Sequence, residues 1–452
     1  MIQNMKLLIC LGLLLCLKTF AGDPQTNSSA SSAGSAILQT RTNNVPQFAE
    51  VVKRYFSQWD ANGDGILSND EIDKAVMNPD FHDEVAAAIA AIKVVVRGGR
   101  YDLPPLTKEY LTASPLRETG VTADLTTQSV DAAPGKVNRR PAFQPRFRAF
   151  LLRLHRTSRE LFPQSLPEMT ACHQGPLGDC YLISVVGAMV HRDPAAVKAL
   201  FTPAADGTTK IAFGNGHNVE VKPLTDAEIA ISSSAGTNGL WLATLENAYG
   251  KANNNPASEK AAAQLDTDVI AHGGKPRVVI NTIEGHQTRS YSFVRHRSDT
   301  NDLQFPNELG KAIIDALNAH QIVAAVTPTN TVLPPGVNGK HCYAILGYDA
   351  DRKVVHLWNP HGNRFTPKGQ DSRQHGYTTL NGEFDMPLQD MIQVFSTVII
   401  ETPTLVETKP SARLNPENVS ARLDPALNNR DRDLPNLPVH SVYAVGTSST
   451  SQ

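Results

Sequence analysis

At 452 residues the chain is long enough for two or three domains, each with a core of its own. A formal net charge of −2 and a pI near 6.7 speak against nucleic acid or an acidic membrane face as the main partner. Five cysteines are too few for a disulfide scaffold, and no repeat of solenoid period is visible.

The first element in chain order is "MKLLICLGLLLCLKTFAG". Lys6 precedes an apolar run from Leu7 to Leu17, and Thr19-Phe20-Ala21 gives a small-x-small cleavage pattern. This predicts a signal peptide over residues 1–21 and an exported protein, secreted or periplasmic, with no integral membrane span once the signal is cut. Cleavage leaves Cys172, Cys180 and Cys342, an odd number, so at least one thiol stays unpaired within the chain. Residues 22–44, rich in Ser, Thr, Asn and Ala, are expected to be a disordered linker. Residues 45–112 form a helical, charged module, and 113–142 a second polar linker. The main domain, 143–402, alternates helical and strand patterns. Residues 403–452 carry scattered Pro and Asn without an apolar period and are expected to be a disordered tail.

Within the module, "DANGDGILSNDE" at residues 60–71 fits a twelve-residue calcium loop. Asp60, Asn62 and Asp64 supply side-chain oxygens and Gly65 the sharp turn. Ile66 offers its backbone carbonyl, Ser68 can hold a water, and Glu71 can bind through both oxygens, as a hard cation requires. Val52, Tyr55, Phe56 and Trp59 before the loop, and Ile72, Ala75 and Val76 after it, have helical spacing. The reading is therefore an EF-hand with Ca2+ as cofactor rather than an Asx-rich turn. "GRYDLPPLTKEYL" aligns as a degenerate partner, Leu106 with Leu67 and Thr107 with Ser68. Tyr110 stands at its last ligand position, so no metal is expected there.

The chemistry of the main domain begins at "HQGPLGDCYLISVVGAMV", residues 173–190. Leu182, Val185, Val186, Met189 and Val190 mark one face of a helix that Asp179 or Gly178 would cap, with Cys180 in its first turn. The helix dipole and free N–H groups there favour the nucleophilic thiolate. Gly175 and Gly178 are expected to let the backbone approach a substrate, and Gln174 to join the Cys180 N–H in holding an oxyanion. A buried inert thiol is the plain alternative. "HQIVAAVTP", "HCYAILGYD" and "KVVHLWNP" read as strands, with His341 opening the second and Asn359 ending the third. A hairpin centred on Ala350 would set His341 directly opposite Asn359, and His356 on the other face. Spacing alone leaves His341 open as an ordinary strand-end residue.

"QGPLGDCYL" resembles the calpain-type cysteine protease signature, Gln-Gly-x-Leu-Gly-Asp-Cys before an aromatic residue. Behind it, in order, "LWLATLENAYGK", "GKHCYAILGY", "LWNPHG" and "GEFDMPLQDMIQVFSTVII" are similar to later blocks of that family, so the resemblance covers residues 160–402. It implies an α+β, papain-like two-lobed core and cysteine endopeptidase activity on protein or peptide substrates. It also implies Cys180 as nucleophile, His341 as base, Asn359 as orienter and Gln174 as the oxyanion glutamine. Tyr181 and His361 stand where the family has Trp, and both are expected to line the cleft. With a single N-terminal hand, calcium control of catalysis does not simply carry over from familiar animal members. The competing readings are a non-catalytic calcium-dependent binding or scaffold protein on a protease fold, and acyl transfer by the same thiolate. The intact Cys, His, Asn and Gln set speaks against the first.

Overall fold

The computed structural model describes residues 47–113, 140–254, 265–293, 304–329 and 332–405. The expected signal peptide, the 22–44 linker, residues 114–139 of the second linker and the tail beyond residue 405 lie outside the described residues. Among the described residues no helix is long and apolar enough to cross a membrane.

The N-terminal part consists of α1 (Phe48–Trp59), α2 (Asn69–Val76), α3 (Asp83–Arg97) and the short α4 (Lys108–Thr112). α1 buries Phe48, Val51, Val52, Phe56 and Trp59, the spacing of one helix face. α2 starts on a capping box in which Ser68 and Glu71 each satisfy a backbone N–H of the other. In α3 the run from Ala86 to Ile92 is buried on all sides, so this helix needs several neighbours. It packs on α1 and α2, and beyond them on α5 (Phe143–Arg156) and α8 (Asp226–Ile231). Phe48 stacks on Phe143 with ring centroids 5.1 Å apart, and the Thr225 hydroxyl donates to the Val76 carbonyl at 2.6 Å. Lys93 is the buried polar exception on α3. It bridges Asp73 of α2 and Asp268, the latter at 2.5 Å, with Arg97 3.3 Å from the same Asp268.

The rest of the described chain forms two antiparallel sheets. β1 (Phe201–Pro203), β2 (Thr209–Ala212) and β3 (Asn218–Val221) make a small one. The large sheet has the order β4 (His286–Ser292), β9 (Thr397–Leu405), β5 (Val323–Val326), β6 (Cys342–Asp349), β7 (Val354–Trp358), β8 (Glu383–Pro387). Side-chain alternation decides what covers each face. Cys342, Ala344 and Leu346 of β6 and Trp358 of β7 join the apolar cluster of α6 (Cys180–Arg192), α9 (Trp241–Asn253) and α10 (Pro276–Glu284). Tyr343, Ile345, Val355 and Leu357 point the other way, into the cluster with α11 (Gln304–Asn318) and α12 (Leu388–Val394). α7 (Pro194–Ala199), capped by Asp193, carries the chain from α6 to the small sheet. α6 lies so close to β7 that a Cβ on Gly187 would come within 2.2 Å of the Trp358 ring. The outcome is a mixed helix and sheet fold, with the expected helix after Cys180 and all three expected strands in place.

The β6–β7 hairpin differs from the expected one. Its turn spans residues 350–353, with Lys353 at φ 53°, and is not centred on Ala350. Pairing runs from Asp349–Val354 to Gly347–His356; Leu346 then bulges, so that Ile345 faces Leu357 and Ala344 faces Trp358. The ladder ends at Ala344–Trp358, and the chain turns over residues 359–362, so Asn359 is not paired directly with His341. The expected register is off by two residues, which keeps every side chain on its face. His356 does project away from Asn359, toward Asp385 at 2.8 Å and Glu383 at 3.0 Å.

Candidate active site

The loop leading into α6 is fixed from several sides. His173 and Ser234 exchange backbone bonds at 2.9 Å, the Gln174 N–H donates to the Pro360 carbonyl at 2.8 Å, and the Gly178 N–H to the Ala271 carbonyl at 2.9 Å. The Gly175 N–H donates to the Ser233 hydroxyl at 3.1 Å. A Cβ on Gly175 would lie 2.4 Å from the Ser232 carbonyl oxygen. This glycine therefore serves the chain's close approach to itself, not the expected approach of a substrate.

Asp179 occupies the N-cap position of α6, but its side chain makes no cap bond. It is fully buried, and as a carboxylate it has no donor for either oxygen. Glu246 of α9 lies within hydrogen-bond reach of it and accepts the Ser233 N–H at 3.0 Å. Two carboxylates can bond only over a proton. Burial first, then the Glu246 charge and hydrogen bond, raise the Asp179 carboxyl well above its usual range, so Asp179 holds that proton.

Cys180 is the first residue of α6 and is buried. A hydrogen bond from the Cys342 thiol is the main cause holding the Cys180 thiol well below its usual range; burial opposes it, and the His341 charge and hydrogen bond lower it further. The same bond, with burial and the Cys180 charge, pushes the Cys342 thiol up. Cys172 donates to the Glu168 carbonyl at 3.4 Å, and burial pushes its thiol far up.

His341 is buried, with Nε2 2.8 Å from Asn359 Oδ1. That oxygen also accepts the His361 N–H at 3.0 Å, while Asn359 Nδ2 donates to Asn338 Oδ1 at 2.9 Å. These two bonds fix the amide orientation, so Nε2–H donates to Asn359 and Nδ1 is the ring nitrogen left to exchange a proton with Cys180. The His361 ring stacks on His341 with centroids 4.6 Å apart, and burial, then the His341 charge, push its pKa down to about 3. His361 thus stands beside the candidate base as expected. Tyr181 does not line the cleft with it: its buried ring packs edge-on to Tyr249 and its hydroxyl donates to the Ile270 carbonyl at 3.4 Å. Gln174 Nε2 donates one hydrogen to the Leu177 carbonyl at 2.8 Å and has a second to offer.

Three members of this cluster escape sequence reasoning. Glu246 does leave a signal, as the one charge inside "LWLATLENAYG", and Cys342 is betrayed only by its place next to His341. Asn338 sits in a glycine-containing loop and gives no signal at all.

The 60–71 loop joins α1 to α2, with Gly65 at φ 83°. Its Leu67 N–H donates to the Leu106 carbonyl at 3.1 Å, so these two residues face each other as aligned. Asp60 accepts the Gly63 and Gly65 N–H groups at 3.0 Å, Asn62 that of Asp64 at 2.9 Å, and Asp64 that of Ile66 at 2.8 Å. Glu71 accepts from Asn62 at 3.2 Å and Ser68 at 2.9 Å. Burial raises the Glu71 carboxyl, but the bonds from Ser68, Asn62 and Ala61 outweigh it and leave it below its usual range. Each carboxylate keeps lone pairs, so the donor set fits a hard cation. Among the described residues a second acidic group, Glu284, His286 and Glu401, brings its ligand atoms within 4.8 Å of one another. Arg192 bridges Glu284 at 2.8 Å and Glu401 at 2.9 Å, which satisfies the carboxylates and repels a second cation. That group is an ion-pair clasp between α6, α10, β4 and β9.

No curated protein matches the chain. A family profile described as calpain family cysteine protease matches residues 153–402, more than half of the chain, and its span includes the whole cluster around Cys180 and His341. The chain therefore belongs to the calpain family of cysteine proteases.

Proposed function

We propose that the protein is an exported cysteine endopeptidase with Cys180 as nucleophile, His341 as general base and acid, and Asn359 as its orienter, and that its N-terminal EF-hand binds Ca2+. The observation that carries the reading is the 2.8 Å bond from His341 Nε2 to Asn359 Oδ1, beside a thiol held down by Cys342 and His341. Cys180 Sγ, as thiolate, attacks the peptide carbonyl carbon. The oxyanion meets the Cys180 N–H, which has no helical carbonyl partner at the first position of α6, and the second hydrogen of Gln174 Nε2. His341, its Nε2–H held by Asn359, delivers the Nδ1 proton to the leaving amine, and the C–N bond breaks to give a thioester. A water, deprotonated by Nδ1, then releases the acid and restores the thiolate. At the hand, Asp60, Asn62, Asp64, the Ile66 carbonyl and Glu71 would hold Ca2+, with Ser68 placing a water. The ion supplies the positive charge that pins the corner between α1 and α2.

The test is casein hydrolysis by the full chain and by Cys180→Ala, with and without chelator, together with labelling by a thiol-directed epoxide. Label is expected on Cys180 and not on Cys172 or Cys342, with turnover lost in the variant. Even labelling of the three thiols, or turnover by Cys180→Ala, overturns the assignment. Export is tested by N-terminal sequencing of protein recovered outside the cytoplasm, which should begin at Gly22.

A further inference from the structure

Three thiols are described in this chain, all free and all buried, and the mechanism uses one of them. Of the other two, Cys342 is the one that reaches the nucleophile. Alternation along β6 turns it, with Ala344 and Leu346, toward α6, in the apolar cluster that contains Cys180. Both residues are first in their elements, Cys180 of α6 and Cys342 of β6, and the two elements pack directly on each other. At that shared end the Cys342 thiol and its backbone N–H both reach Cys180 Sγ. Any small apolar residue would fill the same place on the strand. A sulfur there adds chemistry instead of volume.

We propose that Cys180 and Cys342 form a dithiol couple, in which a peroxide oxidises the nucleophile and Cys342 closes a reversible disulfide over it. This rests on the reading of Cys180 as the nucleophile. The thiolate of Cys180 attacks one oxygen of hydrogen peroxide; the O–O bond breaks, hydroxide leaves, and Cys180 becomes a sulfenic acid. The Cys342 sulfur then attacks the Cys180 sulfur, its proton passes to the departing hydroxyl, and water leaves as the S–S bond forms. Two thiols lose two electrons and two protons, and one peroxide becomes two waters. The order of events follows from the thiols themselves: Cys180 is held down and ionised, while Cys342 is pushed up and stays protonated until the sulfenic acid forms. Without a second thiol in contact, the sulfenic acid would climb to the irreversible sulfinic state. Cys172, bonded to the Glu168 carbonyl, serves as an internal control.

The experiment treats the reduced full chain, Cys342→Ala and Cys342→Ser with hydrogen peroxide. Casein turnover is measured before and after added dithiothreitol, and disulfides and oxygen adducts are mapped by mass spectrometry. The wild type is expected to lose turnover, to show a Cys180–Cys342 disulfide, and to recover nearly all turnover on reduction. Both variants are expected to gain oxygen on Cys180 and not to recover; the serine variant serves if the alanine variant does not fold. Wild type that gains oxygen on Cys180 without a disulfide, or a disulfide that joins Cys172 instead, overturns the proposal. The disulfide is read from mass alone. A reduced wild type that cleaves no casein would therefore count against the peptidase reading and not against the couple.

Discussion

Asp179→Asn tests the proton behind the nucleophile. Asp179 is 0 % exposed, and burial, then Glu246, raise its carboxyl well above the usual range. In the unfolded chain the same group ionises near its ordinary value of about 3.9. Between those two values the folded protein binds one proton more than the unfolded one. Its stability contribution is complete below the unfolded value and is lost as pH rises toward the folded one, at about 1.4 kcal/mol per pH unit. Asparagine has the same shape, donates to Glu246 from its amide and does not titrate. The stability of the variant relative to wild type should therefore rise with pH by about 1.4 kcal/mol per unit while the pH lies between the unfolded and the folded value. Urea unfolding of both chains at pH 5, 6 and 7 measures this. The Cys180 charge also helps to raise Asp179, so both chains carry Cys180→Ala to hold that contribution constant. A difference that does not change with pH would mean that Asp179 is ionised in the folded protein, and the shared proton would have to be given up.

Four further outcomes are expected. Lys93→Met strands Asp73, leaving Asp268 to Arg97, and should lower stability by about 3–5 kcal/mol in urea unfolding, the cost of breaking a buried pair from one side; a loss below about 1 kcal/mol would mark the pair as surface-like. His341→Ala should abolish casein turnover, with Asn359→Ala milder and the double variant no worse than His341→Ala. His356→Ala, which touches Asp385 and Glu383, should leave turnover unchanged, and the reverse pattern would overturn the base assignment. Glu71→Gln should weaken Ca2+ binding to the full chain on the order of tenfold by calorimetry, since it removes one charged ligand.

What was legible in the sequence is what periodicity and turn chemistry encode. The α6 face, the three strands and the α1–α2 corner follow from spacing, because each element buries one side and its apolar residues recur accordingly. What was not legible depends on contacts between segments far apart. Asp179 looks like a helix cap, since capping is local; it is burial, and then Glu246 in a helix more than sixty residues on, that raise its carboxyl. Gly175 looks like room for a substrate until Ser232 is brought against it. Tyr181 next to the nucleophile looks like a cleft residue, but helix geometry turns it inward, toward Tyr249 and Ile270. Asn338 carries no pattern of its own, and acquires a role only because Asn359 needs an acceptor for Nδ2.

The hairpin shows how a single residue can decide whether a site exists. From the turn to Gly347–His356 the pairing is regular, and carried on unchanged it would set Asn359 opposite Ala344. Ala344 faces α6, whereas His341 shares the face of Tyr343, against which its ring packs edge-on at 5.0 Å. Base and orienter would then lie on opposite sides of the sheet. The bulge at Leu346 absorbs one residue of β6 and exchanges the faces of everything between it and the strand end relative to β7. Asn359, just beyond the last paired residue of β7, comes to the side of His341 and bonds its ring, and the His361 ring stacks on the imidazole. Alternation along β6 itself leaves Cys342 on the helix side, against Cys180. One bulged residue therefore decides whether the amide joins the imidazole on its face, while alternation along β6 keeps the second thiol on the other.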